Sequence, residues 1–172
     1  MRSAAYIIYE GCGLRNRRFT EDRFACMLTV AEMPLAAEKR EPMNVPEYYE
    51  SDLLRYFEGH PEELTLYEAL FARLSAVVPE ASVKVQKSQI SFYGRHLFAA
   101  ASLPVRRKKD WPKHCLLVTF GLAQRVEHER IAVAVEPYPN RWTHHVVISS
   151  IEELDEQLLT WIKEAYDFSQ YK

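Results

Sequence analysis

Residues 82–101 read SVKVQKSQISFYGRHLFAAA, and the parity of their apolar side chains decides the architecture. Val83 and Val85 are odd-numbered, whereas Ile90 and Phe92 are even-numbered. Successive side chains of a strand point to opposite faces, so all four reach one core only if something between them shifts the phase. A hairpin turn or a β-bulge at Lys87-Ser88-Gln89 does so. Bulges re-aim side chains, so the second option turns Lys87 toward a pocket. Working outward, apolar and β-branched runs recur at 97–101, 116–120, 131–135 and 142–148. Turn-like stretches at 94–95, 104–113, 121–129 and 137–140 separate them. The spacing predicts a meander of about five antiparallel strands.

Helical patterns flank this β region. Leu53, Leu54 and Phe57 predict a short helix closed near Gly59. Thr65-Leu-Tyr-Glu68 has the form of a capping box, a hydroxyl followed three residues on by a carboxylate. Leu66, Leu70, Leu74 and Val77 then keep helical spacing until Pro79. Ser150-Ile-Glu-Glu153 is a second such box, followed by Ile151, Leu154, Leu158, Ile162 and Ala165 on one helical face. The expected class is α+β: a helix, about five strands and a C-terminal helix, over residues 47–172. Residues 1–46 read as an appendage. Two strand-like runs, 4–9 and 24–30, suggest a hairpin, and Pro34, Pro42 and Pro46 punctuate a linker. An isolated hairpin is marginal in water, so this one is expected to pack on the main domain or on a second copy as a homodimer.

Charge is sorted into blocks. Residues 81–125 hold nine Lys/Arg and one acid, a net +8, inside a chain whose formal charge is −2. The blocks on either side, 41–80 and 126–172, are acidic. A basic third in a near-neutral protein points to an anionic partner. No apolar run approaches the ~20 residues of a membrane span, and the N-terminus lacks the form of a signal peptide. The expectation is a cytoplasmic protein with no membrane partner. The three cysteines, Cys12, Cys26 and Cys115, show no CxxC spacing and read as reduced thiols.

Within the basic block, residues 104–114 read PVRRKKDWPKH. Arg106, Arg107, Lys108, Lys109 and Lys113 can neutralise phosphates, and Trp111 offers a stacking face, a combination suited to nucleic acid. A solvated strand connection has the same composition. The six histidines show no HxxxH or HExxH spacing, so no metal is expected. His144 and His145 are adjacent in a strand and face opposite ways. Arg141 nearby could hold a carboxylate or phosphate. The pairs Glu62/Glu63 and Glu152/Glu153 stand at helix starts, where the helix dipole accounts for them. Walker A, GxGxxG and GxSxG motifs are absent, and no cofactor is expected.

The run Lys84 to Phe92, then Leu97-Phe-Ala99, Arg141-Trp-Thr-His-His145, Leu154-Asp-Glu156 and Trp161-Ile-Lys-Glu-Ala-Tyr166, resembles a bacterial domain of unknown function whose members are often labelled "predicted transport protein". The architecture is also similar to small α+β domains of the YdhG and YjbR types. The resemblance spans about residues 60–168 and implies that Lys87, Arg141, His145 and Tyr166 belong to its recurring pattern. By analogy it implies a binding module rather than an enzyme. The resulting expectation is a small binding or accessory domain that contacts an anionic ligand or nucleic acid through residues 81–125. The alternatives are a small enzyme with a Lys87/Arg141/His145 pocket, and a homodimeric interaction protein without catalysis.

Overall fold

A computed structural model describes residues 43–105 and 107–171. The expected N-terminal hairpin, most of the linker after it, Cys12, Cys26 and Arg106 lie outside the described residues. The elements run α1 (Tyr49–Tyr56), α2 (Pro61–Val77), β1 (Ser82–Val85), β2 (Ile90–Tyr93), β3 (Leu97–Ser102), β4 (Leu116–Leu122), β5 (Ile131–Tyr138), β6 (Arg141–Ile148), a 3-10 turn (Ile151–Glu153) and α3 (Glu156–Gln170). The class is α+β, as the alternation and capping patterns imply. No helix among the described residues is long and apolar enough to cross a membrane.

The parity break resolves as a hairpin. Val83 pairs with Phe92, Val85 pairs with Ile90, and Gln86 N–H donates to the Gln89 carbonyl at 2.9 Å. The two-residue loop Lys87-Ser88 therefore exchanges odd for even, as any even-length hairpin loop must. The bulge in this region lies elsewhere, between Phe92 and Tyr93 where β2 meets β3.

The six strands are all antiparallel in the order β1-β2-β3-β4-β6-β5. The expected antiparallel sheet is present with six strands, and only its order departs from a meander. β6 takes the place beside β4, and β5 is displaced to the edge. Burial explains the choice. Along β6 the even positions His144, Val146 and Ile148 are fully buried, and they extend the buried even positions of β4 (Leu116, Val118, Phe120, Leu122). No residue of β5 is fully buried, so it fits an edge.

Val83, Phe92, Ala99, Phe120 and His144 form one row across the sheet on the face covered by the helices. Helix α2 buries Leu66, Tyr67, Leu70 and Leu74 at helical spacing. It begins at Pro61, four residues before the expected Thr65 cap. Proline is preorganised for the first helical position and needs no N–H there. The Thr65 hydroxyl instead donates to the Pro61 carbonyl within the helix (3.1 Å). At the other end, the Ser150/Glu153 capping box forms but closes only the 3-10 turn. α3 starts later, where Asp155 accepts the Leu158 N–H at 3.0 Å and pairs with Arg130 at 2.7 Å. Ile151, expected on the buried face, is consequently exposed.

Candidate functional site

Two clefts open where α1, the start of α2 and the ends of several strands come together. The first, about 480 Å³, is lined by Asp52 and Arg55 from α1, by Lys87 and Ser88 from the β1–β2 turn, and by Leu103 and Val105 beyond β3. Tyr56 fixes its floor. Its hydroxyl donates to the Ser88 carbonyl (3.2 Å) and accepts the Leu103 N–H (3.1 Å), tying helix, hairpin and loop together. Burial raises the Tyr56 pKa, and the Leu103 N–H partly offsets this. The phenol therefore stays neutral and keeps its donor.

The second cleft, about 420 Å³, shares Leu103 and Val105 with the first. Its polar lining is His60, Glu63, Arg107, Lys113 and His114. Glu63 is 4% exposed, although it stands in the first turn of α2. His114 Nδ1 lies 3.3 Å from Glu63 Oε1 and 3.1 Å from Glu62 Oε2. His60 Nδ1 lies 3.6 Å from Glu63 Oε2, which is buried and has no hydrogen-bond partner among the described residues. Two imidazoles thus flank one buried carboxylate. His114 Nδ1 is within hydrogen-bond distance of both carboxylates, whereas His60 Nδ1 is not.

The loop between β3 and β4 supplies the cations. Arg107 folds back to donate to the carbonyls of Pro112 and Lys113, which holds the loop closed. Lys108 Nζ sits 5.8 Å from the centre of the Trp111 ring and also reaches the Ala132 carbonyl at 3.5 Å. Lys109 and Lys113 are exposed. Cys115, at the end of the loop, is buried and donates to the Pro112 carbonyl (3.4 Å). Burial raises its thiol pKa, with Arg107 opposing, so it remains a protonated core thiol.

The other residues of the suspected pocket lie apart from Lys87. Arg141 opens β6 beside the β5–β6 turn, paired with Tyr138. That turn is at the opposite end of the strands from Lys87, because Ile90, Ala101, Val118 and Val146 align across the sheet. The eight residues of β6 span about 25 Å. His145 is in register with Thr119 and Ala100, on the face away from the helices. Its Nδ1 meets the Thr119 hydroxyl at 2.9 Å, and burial lowers its pKa. Tyr166, on α3, packs edge-on against Phe98 (5.2 Å) and donates to Glu80 at 3.4 Å. A Cβ on Gly94 would come within 2.8 Å of the Tyr166 ring, so helix and turn meet there with no room to spare. These placements give His145 a sheet partner and Tyr166 a packing role, on opposite faces of the sheet.

Neither histidine of the second cleft stands out in the sequence, and the Glu62/Glu63 pair is accounted for there by the helix dipole alone. The one local signal is the spacing of His60 and Glu63, three residues apart across a helix start. His114 reaches them only through the fold, 51 residues further along the chain.

Residues 55–169 match the family described as a domain of unknown function (DUF5655). No curated protein and no solved structure matches the chain.

Proposed function

We propose that this chain, which belongs to the DUF5655 family, binds a linear polyanion, single-stranded nucleic acid, along the groove made by its two clefts. One observation carries the reading. Both clefts are bounded by Leu103 and Val105, so Arg55, Lys87, Arg107 and Lys113 line one continuous path although they come from three separate segments. Asp52 and Glu63 line the same path. The four cations outnumber these two carboxylates and Glu62, which lies against His114. An elongated ligand fits this arrangement because the cations are distributed across both clefts. Between them Val105 is 93% exposed and gives an apolar surface on which a base can rest.

The test is fluorescence anisotropy with a short labelled oligothymidylate over a salt series. Each neutralised phosphate of a single strand contributes about −0.7 to the slope of log K against log salt, so four contacts give a slope near −3. Affinity is then expected to fall roughly 50-fold between 50 and 200 mM salt. Replacing Lys87 or Lys113 by alanine should make the slope shallower by about 0.7 each. Absence of binding at the lowest salt, or a slope near zero, would remove the proposal.

A further inference from the structure

We infer that the second cleft is an acid–base site that cleaves RNA, with His60 and His114 as the proton-transferring groups and Glu63 as the residue that positions both. This rests on the strand-binding reading above and adds an activity to it. Three observations lead there.

The first is the shared carboxylate. Glu63 is buried, and its two oxygens face different imidazoles, Oε1 toward His114 and Oε2 toward His60. A buried carboxylate is costly without charge compensation. Placed between two imidazoles, it can compensate a positive charge on either ring. An acid and a base in one cleft is the combination that proton transfer to a leaving group and from a nucleophile requires.

The second is accessibility. The His60 and His114 side chains are 48% and 40% exposed, against 6% for Glu63. No described residue bonds to Nε2 of either ring. His114 is thus held through Nδ1 and, among the described residues, free at Nε2, the arrangement of a histidine oriented by a carboxylate for proton transfer, while His60 stands 3.6 Å from the other, unpartnered oxygen of the same carboxylate.

The third is the composition of the lining. Arg107 and Lys113 stand in the same cleft and can hold a phosphate and the charge that grows on it. Among the described residues, no serine, threonine, cysteine or tyrosine lines this cleft. A substrate that carries its own attacking group suits such a lining. RNA carries one, its 2′-hydroxyl, next to each phosphodiester.

His114 Nε2 takes the 2′-hydroxyl proton, and the imidazolium so formed lies against Glu62 and Glu63. The 2′-oxygen bonds to phosphorus and the phosphorus–5′-oxygen bond breaks. His60, as imidazolium, gives its proton to the departing 5′-oxygen. The products are a 2′,3′-cyclic phosphate and a 5′-hydroxyl end. The groups that bear on the pH dependence are His60 just before α2, Glu62 and Glu63 on α2, Arg107, Lys113 and His114 on the loop, and the buried Cys115 beside Glu63. The rate should be bell-shaped in pH, since one ring acts neutral and the other protonated.

The experiment compares a labelled single-stranded oligoribonucleotide with its 2′-O-methyl analogue, using the full chain. The expected result is cleavage of the RNA to a cyclic-phosphate end, while the 2′-O-methyl strand binds and stays intact. His114→Ala and His60→Ala should each lower the single-turnover rate by 10²–10⁴-fold with binding retained. Glu63→Gln should lower the rate and distort the bell in pH, with its fold checked by circular dichroism. RNA that binds but stays intact overturns the activity and leaves the binding reading standing. Cleavage that persists unchanged in His60→Ala and His114→Ala preparations also overturns it. Failure of both strands to bind removes the binding reading and this inference together.

Discussion

Truncating Phe120 to alanine is expected to lower the unfolding free energy by about 3–5 kcal/mol. The ring is 1% exposed at the centre of β4. It stacks against His144 at 5.3 Å on the neighbouring strand and against Trp161 at 5.9 Å on α3. Removing it leaves a cavity between sheet and helix, with the rigid rings of Trp161 and His144 on two sides. Rings held in a packed core collapse into such a space only partially, which places the loss at the upper end of large-to-small substitutions. A domain of ordinary stability has about 5–15 kcal/mol in total, so the variant should be close to its limit. Urea denaturation followed by tryptophan fluorescence measures the change, and a loss below about 1 kcal/mol would contradict the packing described.

The second large effect concerns the groove. Reversing Arg107 and Lys113 together to glutamate is expected to weaken oligothymidylate binding about 10³-fold at low salt. Near 4 Å in water each unit-charge pair is worth about 1 kcal/mol, so each reversal exchanges about 1 kcal/mol of attraction for a similar repulsion. Two reversals amount to about 4 kcal/mol, roughly three decades in affinity. Both side chains are exposed on a loop, so stability should change by less than about 0.5 kcal/mol beyond the loss of the Arg107 contacts to the loop carbonyls. Anisotropy titration beside a thermal melt separates the two effects. A reversal variant that binds as tightly as the parent would show that the loop does not meet the ligand.

Much of the fold is legible from periodicity, because period-2 and period-3.6 patterns follow directly from which face is buried. Val83, Val85, Ile90 and Phe92 alone require a phase shift at Lys87, and the two-residue hairpin supplies it. Strand order is less legible. Both β5 and β6 carry alternating apolar residues, and β6 takes the interior place although its buried row, with Val146 and Ile148, includes a polar residue, His144. Its Nε2 accepts the Val126 N–H (2.9 Å). Burial, with the neighbouring His145 and Arg125 charges adding to it, lowers its pKa and keeps the ring neutral. No periodicity announces a buried histidine held through Nε2 alone, its Nδ1 without a hydrogen-bond partner among the described residues. Helix starts show a similar limit: Thr65-x-x-Glu68 has the form of a cap, yet Pro61 four residues earlier sets the boundary.

The candidate site divides along the same line. Lys87, Arg107 and Lys113 are conspicuous as charge, and the structure adds that two clefts join them through Leu103 and Val105. Glu63 is inconspicuous because an acid in the first turn of a helix needs no explanation. Only its burial beneath His60 and His114 distinguishes it, and that burial depends on a loop 51 residues away.

The most direct test of the groove is to titrate the isotopically labelled chain with oligothymidylate and follow backbone amide shifts. The largest changes are expected at Lys87, Ser88, Leu103, Val105, Arg107, Lys113 and His114, with Arg141 and the β5–β6 turn unmoved. Shifts centred on that turn or on α3, with the groove silent, would contradict the assignment of the groove as the ligand site.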